Sequence, residues 1–353
     1  MAEKVYLKKR YGKRIWLILS LLLLLTATVG CGRRAGQPGD KAEQRLRIVC
    51  TIFPEYDWVK QILGEQAKET ELVLLMKNGA DMHSYQPTVW DMKAISEADL
   101  FLYVGGESDG WVEDALANVK NSACHTLNLM EVLEDVTREE EHVEGMQSVR
   151  GHEHESQGTE EETEYDEHIW LSLRNTQTIC DAITETLCEL DGSHRDIYGR
   201  NNREYQKKLH ELDVKYTEAA EQARMPVLLF GDRFPFLYLM EDYNIAYYAA
   251  FAGCSAETEA SFETIAFLAE KAGDLGLPAI MKIDGSDGKI ARTIAENTGT
   301  KDQKVLLLDS MQSVSAQDIE EGETYLAVME RNLETLKEAL LGADSPGSDS
   351  GQQ

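Results

Sequence analysis

Apolar residues in this chain fall into short continuous runs separated by segments in which they recur every three or four positions. Arg47 to Phe53, Leu72 to Met76, Leu100 to Val104, Val227 to Phe230, Ile245 to Phe251, Ala279 to Ile283 and Lys304 to Leu308 are runs of the kind that form buried strands. Helical spacing fills the gaps. It runs from about Tyr56 to Gly64 through Trp58, Val59, Ile62 and Leu63, and from a Thr88 cap through Val89, Met92 and Ile95. It returns over Trp111 to Val119, up to Lys271 after a Glu-rich stretch, over Gly288 to Asn297 and over Leu326 to Leu340. Strands alternating with helices predict an α/β fold of parallel sheets flanked by helices.

The alternation is interrupted once, by two consecutive helical segments. Thr176 to Leu190 is amphipathic through Ile179, Ile183 and Leu187, and Arg195 to Ala223 carries Tyr198, Tyr205, Leu209, Leu212 and Tyr216 on one face. At 1.5 Å per residue the second is on the order of 40 Å long, a rigid spine between two lobes, with Gly199 its weak point. The expected organisation is an N-terminal α/β lobe over 46–173, a helical linker over 174–225, a C-terminal α/β lobe over 226–341 and a disordered tail over 342–353.

The first 45 residues belong to neither lobe. Lys4, Lys8, Lys9, Arg10, Lys13 and Arg14 precede the apolar stretch Ile15 to Leu25, the order of an export signal over 1–30. Thr28-Val29-Gly30-Cys31 resembles a bacterial lipobox, which makes Cys31 the expected lipidation site, and 31–45 reads as a flexible tether. The folded part is then expected on the outer face of the cytoplasmic membrane, lipid-anchored.

A formal net charge of -28 removes nucleic acid from the list of partners, because no Lys/Arg cluster occurs beyond the leader. From Glu139 to Glu167 the chain is crowded with Glu and almost empty of aliphatics, which predicts a loop without a core. Its histidines, His142, His152 and His154, make it an auxiliary collecting site for a divalent ion.

Three further residues carry the candidate chemistry. His83 lies in NGADMHSYQPT after an apolar run, His168 follows the acidic loop in YDEHIWLS beside Asp166 and Glu167, and Asp309 closes the run Lys304 to Leu308. Imidazole and carboxylate both suit zinc, and loops at the carboxyl ends of parallel strands are where α/β proteins collect ligands. Among enzyme signatures, HExxH, the P-loop and GxGxxG are missing.

With GADMHSYQPT, DEHIWLS after a His-rich loop, YQKKLHELD and LLLDSM in place, Leu46 to Leu340 resembles the zinc- or manganese-type solute-binding lipoproteins of bacterial ABC importers. The resemblance implies two α/β lobes joined by a rigid helix, Zn(II) or alternatively Mn(II) held between them by His83, His168 and Asp309, and delivery to a membrane permease without chemistry on a substrate. It implies a monomer. The competing reading is a surface adhesin or interaction lipoprotein that holds a structural metal. One departure falls on the third ligand of the family pattern, where this chain has Gly231 in FGDRFPF. Asp232 is the favoured replacement, with Glu257, Glu259 or water as alternatives.

Setting Cys31 aside, Cys50, Cys124, Cys180, Cys188 and Cys254 are odd in number and form no CxxC pair. They read as buried free thiols. Metal release is expected as pH falls through the imidazole range, near 6.5 for an unperturbed histidine.

Overall fold

The computed structural model describes residues 45–342 apart from 78, 118, 148–163 and 256–258. The leader, Cys31, the tail, His152, His154 and Glu257 lie outside the described residues.

The chain builds β1 (Arg47–Cys50), α1 (Phe53–Leu63), β2 (Glu71–Leu74), α2 (Val89–Ser96), β3 (Leu100–Tyr103), α3 (Val112–Leu116), β4 (His125–Asn128) and α4 (Leu129–Val132). Helices α5 (Leu173–Leu190) and α6 (Arg195–Gln222) follow. The second half consists of β5 (Val227–Phe234), α7 (Leu237–Asp242), β6 (Ala246–Ala252), α8 (Phe262–Asp274), β7 (Ala279–Ile283), α9 (Lys289–Asn297), β8 (Lys304–Leu308), α10 (Ala316–Glu320) and α11 (Tyr325–Leu341). Each half forms a four-stranded sheet, in the orders β2-β1-β3-β4 and β6-β5-β7-β8, and every pairing is parallel. The two orders share one plan, with the first strand of each lobe internal and the direction of winding reversing beside it. Ligands of such sheets gather outside the carboxyl ends of the strands at that reversal.

Both faces of each sheet are apolar, as parallel sheets covered by helices require. In β1, Ile48 and Cys50 join one core while Val49 joins another on the opposite face; in β5, Leu228 and Phe230 face away from Leu229 in the same manner. The larger core is continuous from one lobe to the other. It takes Ile48 and Leu102 from the first sheet, Phe230, Met281 and Leu308 from the second, and Ile183, Tyr205, Leu209, Tyr216 and Leu333 from α5, α6 and α11. Helix α11 returns to the first lobe, where the Tyr325 amide donates to Asp57 Oδ2 at 3.0 Å and its ring meets Trp58 edge-on at 5.2 Å between centroids. Gly199 does not displace the start of α6, whose buried face over Tyr198, Tyr205 and Leu209 outweighs a glycine penalty of about 1 kcal/mol.

Several local readings are revised. Pro54 lies in the first turn of α1, where its missing N–H is tolerated, and the helix begins three residues earlier than its apolar spacing predicts. The strand β4, sequence HTLN, escapes a hydrophobicity reading because it is a half-buried edge. The acidic loop is ordered at its start: Gln147 N donates to Ala250 O, Ser261 N donates to Gln147 Oε1, and Lys271 pairs with Glu144, so residues 139–147 lie along the second lobe.

Glu55, fully buried in α1, accepts hydrogen bonds from the Thr51 and Ile52 amides. Burial, reinforced by the charge on Asp109, pushes its carboxyl up to about 8. A carboxyl raised on folding contributes stability that is complete below its unfolded value near 4.5 and is lost as pH rises through about 8. Thermal melts of Glu55→Gln are therefore expected to lose less stability than wild type between pH 5 and pH 8; an equal loss would show that Glu55 folds already ionised.

Candidate metal centre

His83 and His168 lie 85 residues apart in the chain, and no sequence periodicity joins them. His83 sits in a one-turn helix, Met82–Ser84, after β2, and Asp81 caps that turn by accepting from the His83 amide at 3.1 Å. His168 is fully buried and lies between residues 164–167, which form no strand, and the short helical turn Ile169–Leu171, so it does not stand at a strand exit. Trp170 anchors that turn by donating from Nε1 to Ser310 O at 2.9 Å.

The two rings approach Nε2 to Nε2 at 3.1 Å. Each has a partner for its other nitrogen. His168 Nδ1 lies 3.1 Å from Asp166 Oδ1, the oxygen that also accepts the His168 amide at 2.8 Å, and His83 Nδ1 lies 2.8 Å from Ser108 Oγ. With protons on both Nδ1 atoms, both Nε2 lone pairs face the same point. A metal-binding histidine commonly uses one nitrogen and donates the other N–H to a carboxylate or hydroxyl in this way. Tetrahedral zinc with Zn–N near 2.0 to 2.1 Å sets two ligand nitrogens about 3.3 Å apart, so the rings stand close to the spacing an ion needs. Burial, ahead of the charge His168 would carry, pushes the His83 imidazole down to about 3. His83 therefore stays neutral and competent to ligate well below the 6.5 expected of an unperturbed imidazole.

Behind the rings is a carboxylate with spare capacity. Glu167, buried, accepts from the Ser108 amide at 2.8 Å through Oε1, while Oε2 has no hydrogen-bond partner and lies 3.6 Å from His83 Nδ1. A buried carboxylate oxygen in that condition is costly unless positive charge arrives nearby, which a divalent ion on the imidazoles supplies.

A third ligand atom joins this pair. Among the described residues, the three side chains whose ligand atoms all lie within 4.8 Å of one another are His83, His168 and Cys254. Cys254 follows β6, the only member contributed by the second lobe, and with Cys124 it is half-buried where buried thiols were expected. Asp309 and Asp232 do not belong to the group. Asp309 Oδ1 accepts from the Met311 amide at 2.8 Å, and burial together with neighbouring Asp284 pushes that carboxyl up to about 6. Asp232 is not beyond a strand: β5 continues to Phe234 through an irregularity between Phe230 and Arg233, and Asp232 Oδ1 accepts the Arg233 amide. His142 is exposed and outside the group, as is Glu259.

Arg233 reaches across the lobes, its Nη2 2.6 Å from Asp81 Oδ2, and so braces the turn that carries His83. Both groups are partly solvated, so Arg233→Ala is expected to weaken zinc binding on the order of fivefold, the worth of about 1 kcal/mol, with little change in melting temperature. Isothermal titration measures it.

The sequence-family model described as ZnuA, zinc-uptake complex component A periplasmic, matches residues 48–339. The chain belongs to this family. Within the zinc-uptake family it is 27% identical to the zinc-binding protein AdcA of Streptococcus pyogenes serotype M3 over 84% of this chain, and it spans only 56% of that relative's length. The high-affinity zinc uptake system protein ZnuA of Bacillus subtilis is also 27% identical, over 92% of this chain and 96% of the relative. The Zn(II)-bound ZnuA-like domain of Streptococcus pneumoniae AdcA superposes with a TM-score of 0.64 at 25% identity, covering 84% of this chain and 99% of that domain. The metal-dependent lipoprotein YcdH of Bacillus subtilis gives a TM-score of 0.66 at 26% identity, over 84% of this chain and all of the relative.

Proposed function

We propose that this chain is the extracytoplasmic receptor of a zinc importer, taking Zn(II) between its lobes on His83 and His168 and passing it to an ABC-type permease. The observation that carries the reading is the pair of Nε2 atoms 3.1 Å apart, each on a ring whose other nitrogen is already engaged. Membership of the zinc-uptake family supports it, as do the zinc-binding names of its relatives. Zinc is cargo in this reading, and no bond is made or broken in it. Acylation of Cys31 would hold the receptor beside its permease, and two acyl chains on one residue suffice for stable anchoring.

Elemental analysis of purified protein, followed by titration of metal-free material, tests the proposal. Stoichiometric zinc that is removed by chelators without unfolding the chain, and that rebinds tightly, is the expected result. Zinc whose removal denatures the protein would instead mark a structural metal and favour an adhesin or interaction module.

A further inference from the structure

We infer that Cys254 is the third protein ligand of the transported ion, its thiolate replacing a side chain that Gly231 cannot provide. The inference rests on the zinc-receptor reading and adds to it a sulfur donor from the second lobe.

The case begins with steric exclusion at Gly231. A Cβ at this position would stand 2.5 Å from Ala291 Cα and 2.7 Å from Ala291 N in α9, both backbone atoms that cannot swing aside. Position 231 therefore faces a helix instead of the cleft, and no residue with a side chain fits there. Asp232 beside it is directed to backbone amides, with Oδ1 on Arg233 N and Oδ2 3.5 Å from Ile283 N. The strand that supplies this stretch offers the ion nothing.

Its neighbour does. β6 runs parallel to β5 with Ala252 paired to Phe234, so the chain leaving β6 enters the cleft next to the imidazoles. Gly253 allows the close approach: a Cβ there would lie 2.8 Å from Phe234 O and 3.1 Å from His168 Cε1. Without one, the turn closes against the His168 ring and brings Cys254 Sγ into the three-member group. The turn is fixed from behind by Glu140, whose Oε1 accepts the Cys254 amide at 3.0 Å. The ordered start of the acidic loop thus has a defined task, which is to seat the residue that completes the metal group.

Coordination chemistry fits the geometry. Zn–S near 2.3 Å and Zn–N near 2.0 to 2.1 Å place sulfur about 3.6 Å from each nitrogen in a tetrahedron, inside the 4.8 Å limit that the three atoms already satisfy. On binding, Cys254 loses its proton to solvent and the thiolate donates a lone pair to the ion, with no change of oxidation state. A soft sulfur ligand favours zinc over manganese, which prefers carboxylate and water oxygens. Cys254 would then decide between the two ions that the His83 and Asp309 pattern leaves open.

The test uses the full chain, purified reduced and loaded with Co(II) as a spectroscopic substitute for zinc. Wild type and Cys124→Ser, which alters the other half-buried thiol, are expected to show a sulfur-to-cobalt charge-transfer band. Cys254→Ser should lack it and bind zinc more than about 100-fold more weakly, beyond what loss of a supporting group costs. A second measurement does not depend on the variant folding: zinc should protect Cys254, and not Cys124, from alkylation in the wild-type chain, read by mass spectrometry. Tight zinc binding by wild type without the band or the protection overturns the inference and leaves the receptor reading standing. Failure of wild type to bind zinc or cobalt at all overturns both.

Discussion

Replacing His83 with alanine is expected to abolish most of the rise in melting temperature that zinc confers, while leaving the metal-free protein close to wild type. Zinc at about 1,000 times its dissociation constant stabilises the folded state by about 4 kcal/mol, and removal of one of the three proposed ligands, weakening binding at least 100-fold, erases about 2.7 kcal/mol of that. For a folded part of this size, each kcal/mol shifts the midpoint by roughly 2 to 4 °C. The His83 side chain is mostly buried but keeps 11% of its surface exposed, where His168 keeps none, so its loss costs the metal-free fold less. His168→Ala is expected to remove the zinc response equally but also to lower the metal-free midpoint. His168 is completely buried, and its removal leaves Asp166, itself buried, with one donor fewer. Calorimetric scans of both variants, with chelator and with excess zinc, separate the two effects. A full zinc response in His83→Ala would remove that imidazole from the site.

The second large effect is expected at Gly231. Gly231→Ala should destabilise the chain by about 1 to 3 kcal/mol or more, because the added methyl meets the α9 backbone at 2.5 Å and neither partner is a flexible side chain. Gly231→His, which would recreate the ligand of the family pattern, should be worse in stability and should not tighten zinc binding. Denaturant melts beside zinc titrations decide this. A stable Gly231→His variant with higher affinity would mean that β5 can rotate its side chains into the cleft, and the packing of β5 on α9 would need a different account.

Much of the fold was legible because parallel strands buried on both faces leave continuous apolar runs. Ala279–Ile283, nearly all buried, coincides with its run residue for residue, and so does the edge strand Lys304–Leu308 although it is only partly buried. The edge strand β4 and the extension of β5 through Gly231, Asp232 and Arg233 were not, since polar and glycine residues there are held by pairing partners that local sequence does not reveal. The site divides on similar lines. His83 and His168 stood out because each is an isolated imidazole in a polar loop beside an apolar segment. Cys254 did not, because a thiol between Gly253 and Ser255 resembles any small core residue until β6 is paired with β5. Its one available signal was position, directly beyond an apolar run, the same criterion that singled out His83 and Asp309. Asp232 was chosen for its place in a sequence pattern, and the irregularity in β5 turns it toward other backbone.

The apolar core shared by the two lobes has a bearing on how cargo would leave. Ile48 of one sheet and Leu308 of the other belong to a single packed core with residues of α5, α6 and α11, so parting the lobes would divide that core. Opening it like a book would expose that interior to water. On the proposed receptor reading, the signal that cargo is aboard lies in small parts around the ion: the turn bearing His83, the Arg233 tether on Asp81, and the buried bend at Gly253. A docking partner that merely tugs one of these could loosen the grip on the ion and leave the rest of the molecule still.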